Sequence, residues 1–368
     1  MSAESLSRAT RNIAMPLLAL VLALVTVTLL LLLIGANPTT AFQSVTEAAF
    51  GSPFAVSVTI DKTFPRLLAA LGIAIALRAG LWNIGAEGQI YLGAVGATAI
   101  AIYLPGLPLP LSLLAALAAG ALGGGLWALI PGVLRAYRGV SEVITTLMLV
   151  YIGIELANYL IEGPWIVPHS TYPSTPQFTQ NYALPVLVQG TLLNAGFIVV
   201  VAMVGVAWLI INRSTLGLQL RALGGGAPAA RFAGVRVQRV IVMAMVLSGA
   251  FAGLAGAVEV LGVRGRLVEG FSPGYGFEAI AIALIGRMQP VGIAAAAFFF
   301  AVLDAGSAGL QTSGHGVPAS IVQVTEAITV IYVLIALSAN ELLARRRLAK
   351  AALAGAHGAA PVMEQPGR

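Results

Sequence analysis

The sequence predicts an all-α polytopic membrane protein of about ten transmembrane helices, with both termini cytoplasmic. Three observations predict it. Of 368 residues, 58% are hydrophobic and 9% are charged, against about 25% charged in an ordinary soluble domain. Apolar stretches recur along the chain at the length of a spanning helix, about 20 residues. Counted as spans, those stretches put nearly every arginine on one side. The same composition excludes a cytosolic globular protein, a disordered chain and a disulfide-stapled secreted scaffold. Cysteine is absent, so thiolate metal sites and cysteine nucleophiles are excluded. His169, His315 and His357 have no metal-ligand spacing. The net charge of +6 reads as a sidedness signal rather than nucleic-acid affinity.

The first span runs from Met15 to Ile34, behind Arg8 and Arg11. It is longer than a signal-peptide core of roughly 7–15 residues, and Asn37-Pro38 follows it, so it reads as a retained helix. Further apolar segments lie near 57–77, 88–104, 110–133, 142–161, 191–211, 239–261, 276–287, 290–310 and 319–340. The second carries Asp61, Lys62 and Arg66 near its start, and the eighth is short enough for a broken or re-entrant helix. With a cytoplasmic N-terminus, the arginines at 8, 11, 135, 138, 213, 221, 231, 236, 239, 287, 345–347 and 368, with Lys350, fall on the cytoplasmic side, and Arg78 lies near it. Only Lys62, Arg66, Arg264 and Arg266 fall outside. The chain divides into a cytoplasmic N-terminus at 1–14, a transmembrane domain at 15–340 and a cytoplasmic tail at 341–368, Ala/Gly-rich from Ala349 onward and expected to be flexible.

Proline and glycine mark the joints. Pro105, Pro108 and Pro110 predict a tight outside turn. The outside loop 162–190 has no Lys or Arg but carries Pro164, Trp165, Pro168 and Tyr172. It reads equally as an external gate or as a covering loop with interfacial aromatics. Gly120/Gly124 and Gly249/Gly253 have the spacing that lets helices approach closely in lipid.

Polar groups within spans are costly and therefore informative. If Leu81–Tyr91 is helical, Asn83, Glu87 and Tyr91 share one face at i, i+4 and i+8. Gly85 and Gly88 could instead break that helix. The region reads either as a lining of a translocation path or as a satisfied polar turn. Glu142, Thr145 and Thr146 start the fifth span. Asp304, Ser307 and Gln311 share a face of the ninth, and Gln323, Glu326 and Thr329 lie near one face of the last. These groups are expected to face the bundle interior or an interface.

The inside loop 212–239 carries Arg213, Arg221, Arg231, Arg236 and Arg239 and no acid. Pro228 suits the first turn of a short helix through Ala229, Ala230, Arg231 and Phe232. Gly224 to Gly226 read as a flexible lead-in and Gly234 as a stop. This helix reads as a plug for a partner's groove or as a charged loop lying on anionic lipid. No Gly-x-x-x-x-Gly-Lys-Ser/Thr phosphate loop, Gly-x-Ser-x-Gly elbow or His-Glu-x-x-His motif occurs. The chain thus carries no ATPase site of its own, and its motifs do not support an enzyme.

Four blocks carry a resemblance. They are Gly80-Leu81-Trp82-Asn83-Ile84-Gly85-Ala86-Glu87-Gly88-Gln89; Arg221-Ala222-Leu223-Gly224-Gly225 followed by Ala229-Ala230-Arg231-Phe232-Ala233-Gly234-Val235; Ser248 to Ala257; and Gly274-Tyr275-Gly276-Phe277-Glu278 through Gly286-Arg287 to Pro290-Val291-Gly292. In this order they resemble bacterial ABC-importer permeases of the simple sugar and nucleoside group, within the branched-chain amino acid/ribose-type superfamily. The nucleoside branch is the nearest in pattern, over roughly residues 55–340.

The resemblance implies a type II ABC importer fold in the bacterial plasma membrane. It implies a second permease subunit, two cytoplasmic ATPases that bind ATP and Mg, and an external substrate-binding lipoprotein, with no cofactor in this chain. It makes Arg221, Ala229, Ala230, Arg231, Phe232 and Gly234 the coupling segment for the ATPase. Asn83, Glu87, Tyr91, Glu142, Thr145, Asp304, Gln323 and Glu326 become the candidates near the path. The chain departs from the pattern where relatives carry Asn-Pro-Glu: here Gly226-Ala227-Pro228 removes an expected acidic ATPase contact. It departs again where relatives carry asparagines around the fifth span and this chain has Ser141 and Val150. The rival readings are a simple-sugar ABC permease, an ion-coupled carrier with Glu87, Glu259, Asp304 or Glu326 moving protons, and a membrane scaffold that moves nothing.

Overall fold

A computed structural model of the chain describes residues 21–22, 24–33, 35–168 and 172–312, with 324, 327–328, 331–332 and 335 beyond them. The chain forms two compact units, Met1–Thr39 with Gly316–Arg368, and Thr40–His315. In the first, helix α1 (Leu24–Leu33) brings the Thr26 hydroxyl 3.1 Å from that of Tyr332.

The described residues of the second unit are mostly helical. In order come α2 (Pro38–Phe50), α3 (Pro53–Arg78), α4 (Ala86–Tyr103), α5 (Leu111–Arg138), α6 (Glu142–Glu162), α7 (Gly196–Arg213), α8 (Thr215–Gly225), α9 (Ala227–Phe232), α10 (Val237–Glu259), α11 (Tyr275–Ile285) and α12 (Pro290–Thr312). A π-helical turn, Val260–Arg264, extends α10. Among the described residues the extended chain makes only isolated bridges, Ser174 to Val268 and Val186 to Asn194. Helices stand where the apolar segments from 57–77 through 290–310 were read. The segments 15–34 and 319–340 lie mostly outside the described residues. Five described helices are long and apolar enough to cross a membrane: Leu111–Arg138, Glu142–Glu162, Gly196–Arg213, Val237–Arg264 and Pro290–Leu310. The chain is a multi-pass membrane protein.

The core lies where α10 packs against α3, α4 and α5. A Cβ added at Gly93 would strike the backbone of Gly253, one at Gly124 the Gly249 carbonyl, and one at Gly253 the Gly120 carbonyl. Lipid tails give no hydrophobic drive for helices to associate, so close backbone packing replaces it. The two glycine pairs of the sequence are therefore two sides of one crossing.

Local signals set the ends. Ser52 caps α3 by accepting from the Ala55 amide at 3.1 Å, with Pro53 in the first turn. Gly139, at φ 68°, ends α5. After α3, Gly80 at φ 73° turns the chain, and α4 begins only at Ala86. The Asn83 side chain accepts from the Gly85 amide at 3.1 Å, a local turn that competes with helix. Asn83 therefore does not share a helix face with Glu87 and Tyr91. The helix break falls before α4, and Gly88 lies inside it.

At about 1.5 Å per residue α11 is a half-length helix of roughly 16 Å, as the short eighth segment suggested. Arg287 and Met288, both at positive φ, turn it into α12.

Described residues of the loop after α6 are bonded to the α4–α5 turn and to the chain before α11. Trp165 donates to the Tyr103 hydroxyl at 3.0 Å, and the Tyr182 hydroxyl to the Leu104 carbonyl at 2.5 Å. Asn181 donates to the Leu107 carbonyl at 3.1 Å, and the Ser112 hydroxyl to the Asn181 carbonyl at 2.6 Å. The Thr175 amide donates to the Leu267 carbonyl at 2.9 Å.

Candidate functional site

The helices α3, α11 and α12 meet at a cluster of charges. The Arg66 guanidinium is 1% exposed; its Nε lies 2.6 Å from Glu278 Oε2, and its Nη2 lies 2.8 Å from Asp304 Oδ2. Its Nη1 donates to the Lys62 carbonyl at 2.9 Å, and its plane stands 4.6 Å from the Tyr275 ring centre. Lys62 Nζ reaches the same Asp304 oxygen at 2.9 Å. Two cations face two carboxylates, which is how a low-dielectric bundle tolerates charge. Sequence reasoning named Asp304 but took Lys62 and Arg66 only as exceptions to sidedness. The signal was present: two cations in an apolar segment demand acids elsewhere.

Two further polar pairs flank the cluster. Asn194 donates to Asp61 at 3.1 Å while accepting from the Gly196 amide at 2.8 Å, which fixes the start of α7. Arg264 lies 3.2 Å from Glu259 and donates to the Phe271 carbonyl at 2.9 Å.

Glu87 is buried in the first turn of α4 and accepts from the Gly276 amide of α11 at 2.6 Å. A carboxylate there satisfies an orphan N–H and complements the positive end of the half-helix. The approach is so close that a Cβ at Gly276 would strike the Glu87 backbone. Tyr91, one turn on, packs its ring 4.7 Å from that of Phe271. Asn83 donates to Gln89 at 2.9 Å and to the Ser248 hydroxyl at 2.8 Å, and Gln89 donates back to Asn83 at 3.0 Å. Asn83, Glu87 and Tyr91 are thus gathered against Ser248 of α10, Gly276 of α11 and Phe271 in the irregular chain before α11, each by contacts within the chain.

The other candidates fall elsewhere. Glu142 is 3.1 Å from Arg135 and accepts from the Trp82 amide at 3.4 Å. The Thr145 hydroxyl bonds carbonyls of its own helix, at Ser141 and Glu142. Asp304 belongs to the charge cluster, and Ser307 donates to its carbonyl at 2.7 Å. Gln323 and Glu326, with Thr329, lie outside the described residues. Among the described residues no group of three or more His, Asp or Glu could hold a metal.

The basic loop contains two helices, one more than the sequence suggested. Ser214 caps α8 by accepting from the Gly217 amide at 3.0 Å. Gly224 and Gly225 belong to α8, and Gly226 alone, at φ 141°, breaks the chain. Their expected role as a flexible lead-in is corrected: nothing in the local packing opposes helix until Gly226. Gly224 lies so near the end of α3 that a Cβ there would strike the Arg78 carbonyl. Arg221 donates to the Ile211 carbonyl at 2.6 Å, binding α8 to the end of α7. In α9, Ala230 is buried and anchors the helix, while Ala229 and Arg231 are exposed and Phe232 is 95% exposed. Gly234, at φ 77°, ends the segment.

Residues 56–338 match the family described as branched-chain amino acid transport system / permease component. A glucose ABC transporter permease protein of Haloferax volcanii is 36% identical over 332 residues, covering 87% of this chain and 86% of the relative. A guanosine ABC transporter permease protein of Bacillus subtilis is 36% identical over 329 residues, covering 88% and 93%. A nucleoside ABC transporter permease protein of Lactococcus lactis is 31% identical over 351 residues, covering 93% and 96%. A helical bundle with apolar spans and this breadth of likeness lead to one conclusion: the chain belongs to the branched-chain amino acid transport system / permease component family of ABC-transporter permeases.

Proposed function

We propose that this permease subunit imports nucleosides across a bacterial plasma membrane by ATP-driven alternating access. The observation that carries the substrate is the likeness to guanosine and nucleoside permeases across 88% and 93% of the chain. The relative named for glucose favours a second reading, a simple sugar.

In this proposal ten spans place 1–14, the loop 212–239 and 341–368 in the cytoplasm and 162–190 outside. A second permease subunit, identical or homologous, shares the path. Two ATPase subunits bind ATP and Mg, and an external lipoprotein delivers the solute. The α9 helix seats on the ATPase, because a bulky ring exposed at Phe232 beside exposed Arg231 is an anchor without a pocket in its own chain. Motion of α9 passes to α8, and from Gly224 to the end of α3. Arg66 stands at the middle of α3, so movement at the ATPase reaches the braced half-helix α11. Asn83, Glu87, Tyr91, Glu142, Thr145, Asp304, Gln323 and Glu326 shape the path in this scheme; those with partners inside the chain support its walls.

Labelled purine-nucleoside uptake, in cells with and without the gene, tests this. Gene-dependent uptake blocked by unlabelled nucleosides but not by sugars, and lost on ATP depletion, is the expected result. Uptake blocked by sugars alone moves the substrate to the second reading. Uptake that survives ATP depletion but collapses with the proton gradient replaces the scheme with an ion-coupled carrier.

A further inference from the structure

The helix α6 divides cleanly into two faces. Thr146, Val150, Gly153, Ala157 and Ile161 are buried, and at Gly153 the helix lies against Gly88 and Leu92 of α4. The opposite face is exposed and carries Tyr151, Glu155 and Tyr159 at i, i+4 and i+8. Glu155 lies 13 residues after Glu142 and seven before Glu162, about 20 Å and 10 Å along the helix axis. The carboxylate is thus well inside a helix apolar enough to cross a membrane. Among the described residues it has no ion pair or hydrogen bond. The Oδ1 of Asn158, one turn beyond, is itself buried and is also without a partner among the described residues.

The neighbouring spans supply the contrast. The exposed residues of α7 before its terminal Arg213 are Phe197, Ile198, Val201, Ala202, Gly205, Val206, Trp208 and Leu209. Those of α5 before Tyr137 are leucines, Ala118, Ile130 and Val133. Such faces suit lipid. An acid within a span is costly in lipid and is found facing water-filled cavities or other protein.

We infer that this face of α6 lines the water-filled solute path, which a second permease chain closes, and that Glu155 contacts the solute there. This rests on the permease reading and deepens it. A carboxylate accepts two hydrogen bonds side by side, which suits a pair of neighbouring hydroxyls on a sugar ring. Tyr151 and Tyr159, one turn to either side, offer ring faces and hydroxyls to a flat base. The ligand class is therefore a neutral solute combining vicinal hydroxyls with an aromatic ring.

The chain has no cysteine, so Glu155→Cys places one thiol in it. The complete transporter carrying this variant is treated in membranes with a charged methanethiosulfonate, and modification of this subunit is read by mass. Val201→Cys on α7 is the lipid-facing control. We expect Cys labelling at 155 to be at least tenfold faster than at 201 and to slow severalfold under saturating nucleoside. Labelling as slow as the control, or labelling indifferent to every transported solute, overturns the inference. Nucleoside uptake by the unaltered complex is measured alongside: uptake intact with position 155 unreactive defeats the inference alone. Labelling blocked by sugar and not by nucleoside supports the path assignment and removes the nucleoside substrate. Glu155→Gln, similar in size but uncharged, is expected to lower the maximal rate of nucleoside uptake at least tenfold with complex yield unchanged. An unchanged value overturns the contact.

Discussion

Arg66 of α3 and Glu278 of α11 hold each other at 2.6 Å, with the guanidinium 1% exposed. The same guanidinium reaches Asp304 of α12 at 2.8 Å, so one side chain joins three helices. The half-helix α11 is braced a second time where its Gly276 amide meets Glu87. A short helix that ends inside a bundle leaves backbone groups unpaired, and both braces fall in its first turn.

Removing the arginine strands Glu278. Breaking one side of a buried ion pair costs about 3–5 kcal/mol. Arg66→Met is therefore expected to lower the thermal unfolding midpoint of the purified protein sharply, and adding Glu278→Gln to restore part of it. Lys62→Met, at a side chain 28% exposed, is expected to act more weakly. An Arg66→Met protein that melts with the wild type would show that the cluster does not hold the helices.

The glycine crossing makes a sharper test, because its neighbours are backbone atoms that cannot turn aside. Gly253→Val would drive its side chain into the Gly120 carbonyl and Gly124, and no monodisperse protein is expected by size-exclusion chromatography. Gly225 has open space around its missing Cβ and helical geometry. Gly225→Ala there is expected to stabilise by about 0.5–1 kcal/mol through helix propensity. Equal yields from both variants would refute the close packing of α4, α5 and α10.

The apolar helices from α3 to α7 and from α10 to α12 were legible because a membrane demands long apolar runs, and such runs are visible residue by residue; the more polar α2 and α8 were not read. The short α11 was legible for the same reason. The start of α4 was not: Asn83 and Glu87 have helical spacing, and only the hydrogen bond from the Gly85 amide to Asn83 shows that the helix begins later. The charge cluster was half legible, since Lys62 and Arg66 were visible but their partners stand more than 200 residues away. The acid at Glu155 was visible within the 142–161 segment, but its exposure was not. A periodic pattern cannot tell which face of an apolar helix packs inward when both faces are mostly apolar.

Glu87 can be tested as a brace against a role in the path. Glu87→Leu leaves the Gly276 amide without its acceptor, a loss of about 1–3 kcal/mol. Glu87→Gln keeps an oxygen in the same place and is expected to unfold near the wild-type midpoint and to transport normally. Glu87→Gln that is fully stable yet dead in uptake would assign the carboxylate to the solute instead.

The exposed ring of α9 gives the last test. Burying a phenylalanine contributes about 1.5–3 kcal/mol, and Phe232 is 95% exposed in this chain alone. If that ring enters a pocket of the ATPase, Phe232→Ala forfeits most of this, which corresponds to roughly tenfold or more in affinity. Adding Arg231→Ala removes the neighbouring exposed charge. The double variant touches no buried contact, since the anchoring side of α9 is Ala230, so membrane insertion and solubilised yield are expected to be normal. ATP-driven uptake is expected to be lost, and ATPase subunits to co-purify poorly. Normal uptake by the double variant would remove α9 from the coupling interface, and the positive loop would then be read as a surface lying on anionic lipid.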